Sequence, residues 1–394
     1  MPLMASVQAP NIDEYCHTMT DKKKVALAEF FENTSQYAIT NSLDKYTSQW
    51  CKNKLTDYKN ETRQDVKLRL SPFYKDFAGN PAPKDQQYFD LSFICLNKSH
   101  FRTIAISAAA DWSVLNCIKH KEQVFLISIA EIAPEKFDVE LLLQYPNIET
   151  FNVFGEFIHK KKNETKFKNI DALQHLRKLK HLYMRNNATP EELAVLAKLP
   201  LERLHISNSK DLTLPYIPTL NNLSLSFING SINIDAIQHM TKLDLIILGT
   251  IQNLSNEDLT AFNKNLPIKN LTLAHLPNIS DLTSVARLPQ LKSITLRNTG
   301  VTDLAPLAPT ETLRSIYVEG GATTDATSYY AHGGKATFYG QVIKCSPTNP
   351  DDYKQGMRCN AKQRNCPYVG DKFAFGSSIV NQIINPICIK LFSD

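Results

Sequence analysis

At 394 residues the chain is long enough for more than one ordinary domain, or for one elongated array with flanking caps. Lys and Arg total 44 against 39 Asp and Glu, a net charge of +5. That excludes the basic bias of a nucleic-acid-binding domain and leaves only a weak preference for acidic surfaces. No apolar stretch approaches the roughly 18 residues of a membrane-spanning helix, the longest candidate being Val124-Phe-Leu-Ile-Ser-Ile-Ala.

Residues 1–120 read as a mixed helix and strand cap. The opening segment from Met1 has no positive n-region and too short an apolar run for a signal peptide, which leaves a cytoplasmic chain or one whose signal has been removed. Asp21-Lys-Lys-Lys-Val-Ala-Leu-Ala-Glu-Phe-Phe predicts a helix, and a second is expected from Leu43 to Leu55, with Trp50 and Cys51 inside it. The Pro and Gly content from Leu70 to Pro83 predicts a loop. Tyr88–Cys95 and Phe101–Ser107 alternate enough to predict strands. No Gly-x-Ser-x-Gly, Gly-x4-Gly-Lys-Ser/Thr, His-Glu-x2-His or Cys-x2-Cys pattern occurs, so no catalytic residue and no cofactor is expected.

From about Val124 the chain repeats. Apolar residues recur at i, i+3 and i+5 in Leu179-Leu182-Met184, Leu201-Leu204-Ile206, Leu220-Leu223-Leu225, Leu243-Ile246-Leu248, Ile268-Leu271-Leu273, Leu291-Ile294-Leu296 and Leu313-Ile316-Val318. Their central residues are 22, 19, 23, 25, 23 and 22 apart, within the roughly 20–29 of a leucine-rich repeat. Val124-Ile127-Ile129 and Ile148-Phe151-Val153 are looser copies, the polar stretch His159–Lys168 reading as a solvated loop between the second of these and the next repeat. Asn187, Asn208, Asn229 and Asn298 fall near the turn after the strand, an imperfect ladder that lapses at Ile251 and Leu276. The return segments open with helix-start chemistry, Thr189-Pro-Glu-Glu192 and Ser255-Asn-Glu-Asp258.

Two later copies, Ile279-Ser-Asp-Leu-Thr-Ser-Val-Ala and Val301-Thr-Asp-Leu-Ala-Pro-Leu-Ala, share the pattern Ile/Val-x-Asp-Leu-x-x-Val/Leu-Ala. This resembles the short repeats of bacterial internalins and of a eukaryotic phosphatase-regulatory subunit. The expected fold is an α/β leucine-rich-repeat solenoid, a curved parallel sheet spanning residues 121–340, between the 1–120 cap and a cysteine-containing cap at 341–394. Lys335-Ala-Thr-Phe-Tyr is expected to add a terminal strand, and the apolar stretch 370–386 to lie over the last turn.

Because side chains alternate across a strand, residues at i+2, i+4 and i+6 should face outward on the concave side. Five of them, His181, Tyr183, Arg185, Arg203 and His205, form a predicted cluster of aromatic and cationic groups on adjacent strands, the residue types enriched at binding hot spots. Leu245 and Ile247 form an outward apolar pair, and Arg297 and Tyr317 are further candidate contacts. No carboxylate or cysteine stands in the i+2 and i+4 columns that hold the two histidines, so no metal site is expected.

Cys16, Cys51, Cys95 and Cys117 precede the repeats and Cys345, Cys359, Cys366 and Cys388 follow them, four in each cap and none between. That distribution predicts disulfide-stapled ends, and so a secreted or periplasmic protein; within each group three connectivities are open. Ten Asn-x-Ser/Thr sequons occur, two of them, at Asn222 and Asn270, on the concave columns, and an unglycosylated bacterial product is expected. The composite reading is a monomeric, non-enzymatic protein-binding module for adhesion, virulence or inhibition, without nucleic-acid partner or transmembrane segment. An enzyme or toxin acting through the N-terminal region, with repeats for targeting, and a cytoplasmic scaffold are the alternatives.

Overall fold

The computed structural model describes residues 8–32, 43–60, 66–70, 90–96, 101–107, 111–130, 137–154, 167–185, 188–323 and 326–340. Their main feature is one twelve-stranded sheet. Its strands are Val66–Leu70, Phe101–Ser107, Leu126–Ala130, Thr150–Phe154, His181–Arg185, Arg203–Ser207, Asn222–Ile228, Leu245–Ile251, Asn270–Leu276, Ser293–Thr299, Ser315–Glu319 and Thr337–Gly340. They lie side by side in chain order, and every pairing is parallel. A parallel pair needs a crossover, so each return segment carries the chain back to start the next rung and the molecule coils.

The register aligns the apolar triads. Leu204 sits opposite Leu182 and Leu223, and Ile246 opposite Leu223 and Leu271. Leu182, Leu204, Leu223, Ile246, Leu271, Ile294 and Ile316 are all at most 2% exposed, as are Met184, Ile206, Leu225, Leu248, Leu273, Leu296 and Val318. Burying each such side chain contributes roughly 1.5–3 kcal/mol. A slip of one residue would turn every triad to solvent, so the register is strongly specified.

The sheet also begins before Val124, where the repeats are first expected. Phe101, Ile104 and Ile106 carry the same i, i+3, i+5 spacing and are buried, and both their strand and Val66–Leu70 join the same sheet. The strand predicted through Tyr88–Cys95 is instead a 3-10 helix, Ser92–Leu96, among its described residues. Asp90 Oδ1 accepts from Ser92 N–H (2.9 Å) and Cys95 is bonded to Cys117, which together favour a turn over an extended run. The Asp21–Glu32 helix forms as expected. The second predicted helix is divided into a 3-10 turn, Leu43–Lys45, and the α-helix Ser48–Asn60, because Thr47 Oγ1 accepts from Trp50 N–H (3.1 Å) and starts a new helix. A Cys16–Cys51 disulfide ties this helix to Ile12–His17. Phe30 packs edge-on against Tyr58 (5.1 Å) and Phe93 (5.3 Å), linking the helices to the first rungs. The end of the polar insertion, Phe167–Lys168, pairs with Phe137–Asp138. Its remainder, the Leu70–Pro83 loop beyond residue 70, the 370–386 stretch and Cys345, Cys359, Cys366 and Cys388 lie outside the described residues.

Two local devices turn each rung. The residue at i+7 is left-handed in six consecutive repeats, at Asn208 (φ 62°), Phe227 (56°), Thr250 (54°), His275 (55°), Asn298 (48°) and Gly320 (63°). Asn and Gly suit that region, whereas Phe227 and the β-branched Thr250 are strained there. The buried site beside it is Ser209, Ile228, Ile251, Leu276 and Thr299, mostly aliphatic, and an expected asparagine joins neighbouring repeats here where Asn298 Nδ2 meets His275 Nδ1 (3.1 Å), so elsewhere another link is needed. That link is made further along, where Asn253 Nδ2 donates to Gly230 O (3.1 Å), Asn278 Nδ2 to Gln252 O (3.0 Å) and Asn263 Nδ2 to Gln238 O (3.2 Å).

The returns themselves are short. Thr189 and Glu192 close the predicted capping box, each side chain accepting from the other's backbone N–H, and open the α-helix Pro190–Leu196. At Ser255 only half the box forms. Asp258 accepts from Ser255 N–H (2.7 Å) and Oγ (2.9 Å) and leads a 3-10 turn, Asp258–Ala261.

Thr250→Asn should relieve the left-handed strain and raise stability by about 1 kcal/mol, read as a higher urea midpoint at unchanged slope. Non-reducing peptide mapping should recover the Cys16–Cys51 and Cys95–Cys117 pairs. Opening the first by Cys16→Ser/Cys51→Ser should cost roughly 3–4 kcal/mol by the loop-entropy argument, measured by thermal unfolding of the N-terminal region.

Candidate binding face

The register sets the outward residues in rows across the strands. One row runs Thr150, His181, Arg203, Asn222, Leu245, Asn270, Ser293 and Ser315. The next runs Asn152, Tyr183, His205, Ser224, Ile247, Thr272, Thr295 and Tyr317. The third includes Arg185, Ser207, Ser226, Gly249, Ala274, Arg297 and Glu319. One strand per repeat, parallel throughout, with inward leucines and outward variable positions, decides the architecture. The fold is a leucine-rich-repeat solenoid.

Within these rows His181, Tyr183, Arg185, Arg203 and His205 are neighbours on two adjacent strands. The Tyr183 and His205 rings lie 6.1 Å apart at 33°, and Tyr183 is only 8% exposed, so its ring is one wall of the cluster rather than a projecting knob. His205 Nδ1 shares a hydrogen bond with Ser224 Oγ (2.9 Å) and His181 Nδ1 one with Thr150 Oγ1 (3.1 Å). Burial, reinforced by the Arg185 charge, pulls His205 down to about 4. Desolvation and then Arg203 pull His181 down as well. The cationic reading of the cluster is therefore corrected for His205: it is neutral at pH 7, and Arg185 and Arg203 carry the positive charge. Arg185 is half-buried, and desolvation lowers its pKa. With the Asn222 amide oriented to suit its neighbours, Asn222 accepts from Arg203 Nε (3.2 Å) and donates to Asp244 Oδ1 (3.2 Å), holding that guanidinium in place.

The other predicted contacts stand apart from this cluster. Leu245 and Ile247 face outward and are half-buried, beside Asn222 and Ser224 on one side and Asn270 and Thr272 on the other. Arg297 and Tyr317 lie four and five rungs beyond the Arg203 strand, about 20 Å away at roughly 4.8 Å per rung. Glu319 joins those two: its Oε2 is 2.8 Å from Arg297 Nε, an ion-pair contact, and accepts from Tyr317 Oη at 3.4 Å. The nine residues thus form two polar clusters with an apolar pair between them. Thr150, Asn222, Ser224 and Glu319 orient members of these clusters. Their position in the same columns was the available signal. Among the described residues no group of three or more His, Cys, Asp or Glu could hold a metal ion. No described helix is long and apolar enough to cross a membrane.

No protein-family model and no curated protein sequence matches the chain. Among solved structures it is similar to an internalin, InlF, of Listeria monocytogenes, at 16% identity over 68% of this chain and 73% of that one, with a TM-score of 0.42. A leucine-rich-repeat protein of Leptospira interrogans is 13% identical over 74% and 80% of the two chains, with a TM-score of 0.41. The Listeria monocytogenes InlP is 14% identical over 81% and 72%, with a TM-score of 0.35. The solenoid assignment rests on the strand register, which is independent of these likenesses.

A histidine depressed below its unfolded pKa stabilises the fold above the unfolded value, and that stability is lost as pH falls through the folded value. Stability should therefore drop as pH falls from about 6.5 toward 4, and His205→Asn should flatten that portion of the profile. Chemical denaturation at stepped pH is the measurement.

Proposed function

We propose that the chain is a non-enzymatic, monomeric binding protein of a secreted or periplasmic bacterial kind, which docks a protein partner on the concave face in adhesion, virulence or inhibition. The observation that carries this reading is the juxtaposition of Tyr183, Arg185, Arg203, His181 and His205 on adjacent strands, with the Tyr183 and His205 rings against each other and Arg203 in reach of the Asn222 amide. An aromatic wall beside two planar guanidiniums, one of them already held by Asn222, loses less entropy on docking and offers fork-shaped donors to carboxylates or carbonyls. Leu245 and Ile247 supply a dry contact next to it, the arrangement of apolar core and polar surround that binding patches use.

Two disulfides among the described residues favour an oxidising compartment and count against the cytoplasmic scaffold. The rival with catalysis in residues 1–120 is tested by assaying the full chain for hydrolase activity.

The partner is to be captured from the native setting on the intact chain. Arg185→Ala and Arg203→Ala should each weaken that complex by roughly tenfold or more, the scale of a hot-spot residue. Unchanged affinity in both variants, with the fold intact by circular dichroism, removes this cluster from the interface.

A further inference from the structure

A different feature marks the C-terminal third of the sheet. The residue at i+1, just before the outward columns, is Glu149, Lys180, Glu202, Asn221, Asp244, Lys269, Lys292 and Arg314 in successive repeats. From Lys180 onward each donates its backbone N–H to the preceding one's carbonyl at 2.8–2.9 Å, so these residues stand on consecutive rungs. In the first half the signs alternate and pair, as in Lys180 with Glu202 (3.0 Å). Lys269, the first of the later cations, still reaches Asp244 at 3.5 Å. After it Lys292 and Arg314 follow without an intervening carboxylate. On the last rung the register sets Ala336 opposite Arg314, since Thr337 pairs with Ser315, and the next cation, Lys335, is the residue just before it. Lys292, Arg314 and Lys335 are exposed, and among the described residues none of the three makes an ion pair. Glu311, the carboxylate nearest Arg314 in sequence, gives it only its backbone carbonyl (2.6 Å).

Like charges on adjacent rungs, about 5 Å apart, repel one another, and no described contact relieves them. A line of cations at that pitch complements a line of anions. The same rungs present neutral donors in the neighbouring row, Asn270, Ser293, Ser315 and Thr337, and beyond them Tyr317 opposite Tyr339, the latter 38% exposed. Cations for sulfates, hydroxyls and an amide for sugar hydroxyls, and aromatic faces for pyranose rings are the three components of a linear anionic glycan site.

We propose that this edge of the solenoid, along Lys269, Lys292, Arg314 and Lys335, binds a linear sulfated polysaccharide. The site is separate from the Arg185 and Arg203 cluster and does not depend on the protein-docking reading. A nucleic acid offers a comparable line of charge, and the row directly beside the cations is built of hydroxyls and an amide suited to sugar hydroxyls, so the RNA arm of the test separates the two ligands.

The test is titration of the full-length chain with a heparin octasaccharide at physiological salt, with single-stranded RNA of similar length and desulfated heparin in parallel. Heparin should bind, desulfated heparin should not, and Lys292→Gln/Arg314→Gln should weaken heparin binding at least tenfold. Lys180→Gln, at a position already paired with Glu202, should leave it within twofold. If the double variant fails to fold, Lys292→Gln alone should still lose about threefold. The proposal is overturned by no heparin binding, by an unchanged Lys292→Gln/Arg314→Gln affinity, by an equal loss in Lys180→Gln, or by RNA binding more tightly than heparin.

Discussion

The apolar contact between one rung and the next, made by residues at i, i+3 and i+5, is what the rest of this structure depends on. A single strand with Leu271 and Leu273 on one side has nothing to bury them against; the strands carrying Ile246 and Ile294 provide it from either side. Stability then accumulates by nearest neighbours, and a rung at the end of a stack needs another partner for its apolar edge. At the N-terminal end the helices bring in Phe30, Tyr58 and Phe93, stapled by two disulfides, so that end is secured by aromatic packing and covalent bonds rather than by another repeat.

That constraint also explains why the turns tolerate strain. A parallel rung must leave the sheet at the same place each time, and the left-handed residue at i+7 is how the backbone does so. Where Asn208, Asn298 and Gly320 occupy it the conformation costs little. Phe227, Thr250 and His275 hold it because the buried residues following them, Ile228, Ile251 and Leu276, fix the backbone from within.

The outward face is what the core leaves free. Outward positions are not constrained by stacking, so they differ from rung to rung, and chemistry can be distributed along the arc: two guanidiniums with an aromatic wall near one end, an aliphatic pair in the middle, and a line of cations on the far edge. Burial modifies that chemistry. His205 faces outward yet is desolvated by Tyr183 and the curved sheet around it, so it contributes shape and a hydrogen bond with Ser224 rather than charge.

The repeat spacing alone determined the inward and outward columns from Leu179 to Val318, because a period of two within each strand leaves one register that buries the i, i+3 and i+5 residues of every repeat. It was equally legible in Phe101, Ile104 and Ile106, where the break before the next regular repeats hid it. Tertiary structure decided the rest. Ser92–Leu96 has strand-like residues, but the Asp90 cap and the Cys95–Cys117 bond make it a turn. Which cysteines pair, which outward histidine stays neutral, and which arginine is held by Asn222 all depend on groups distant in sequence meeting at a few ångströms. Local pattern carries no information about such meetings.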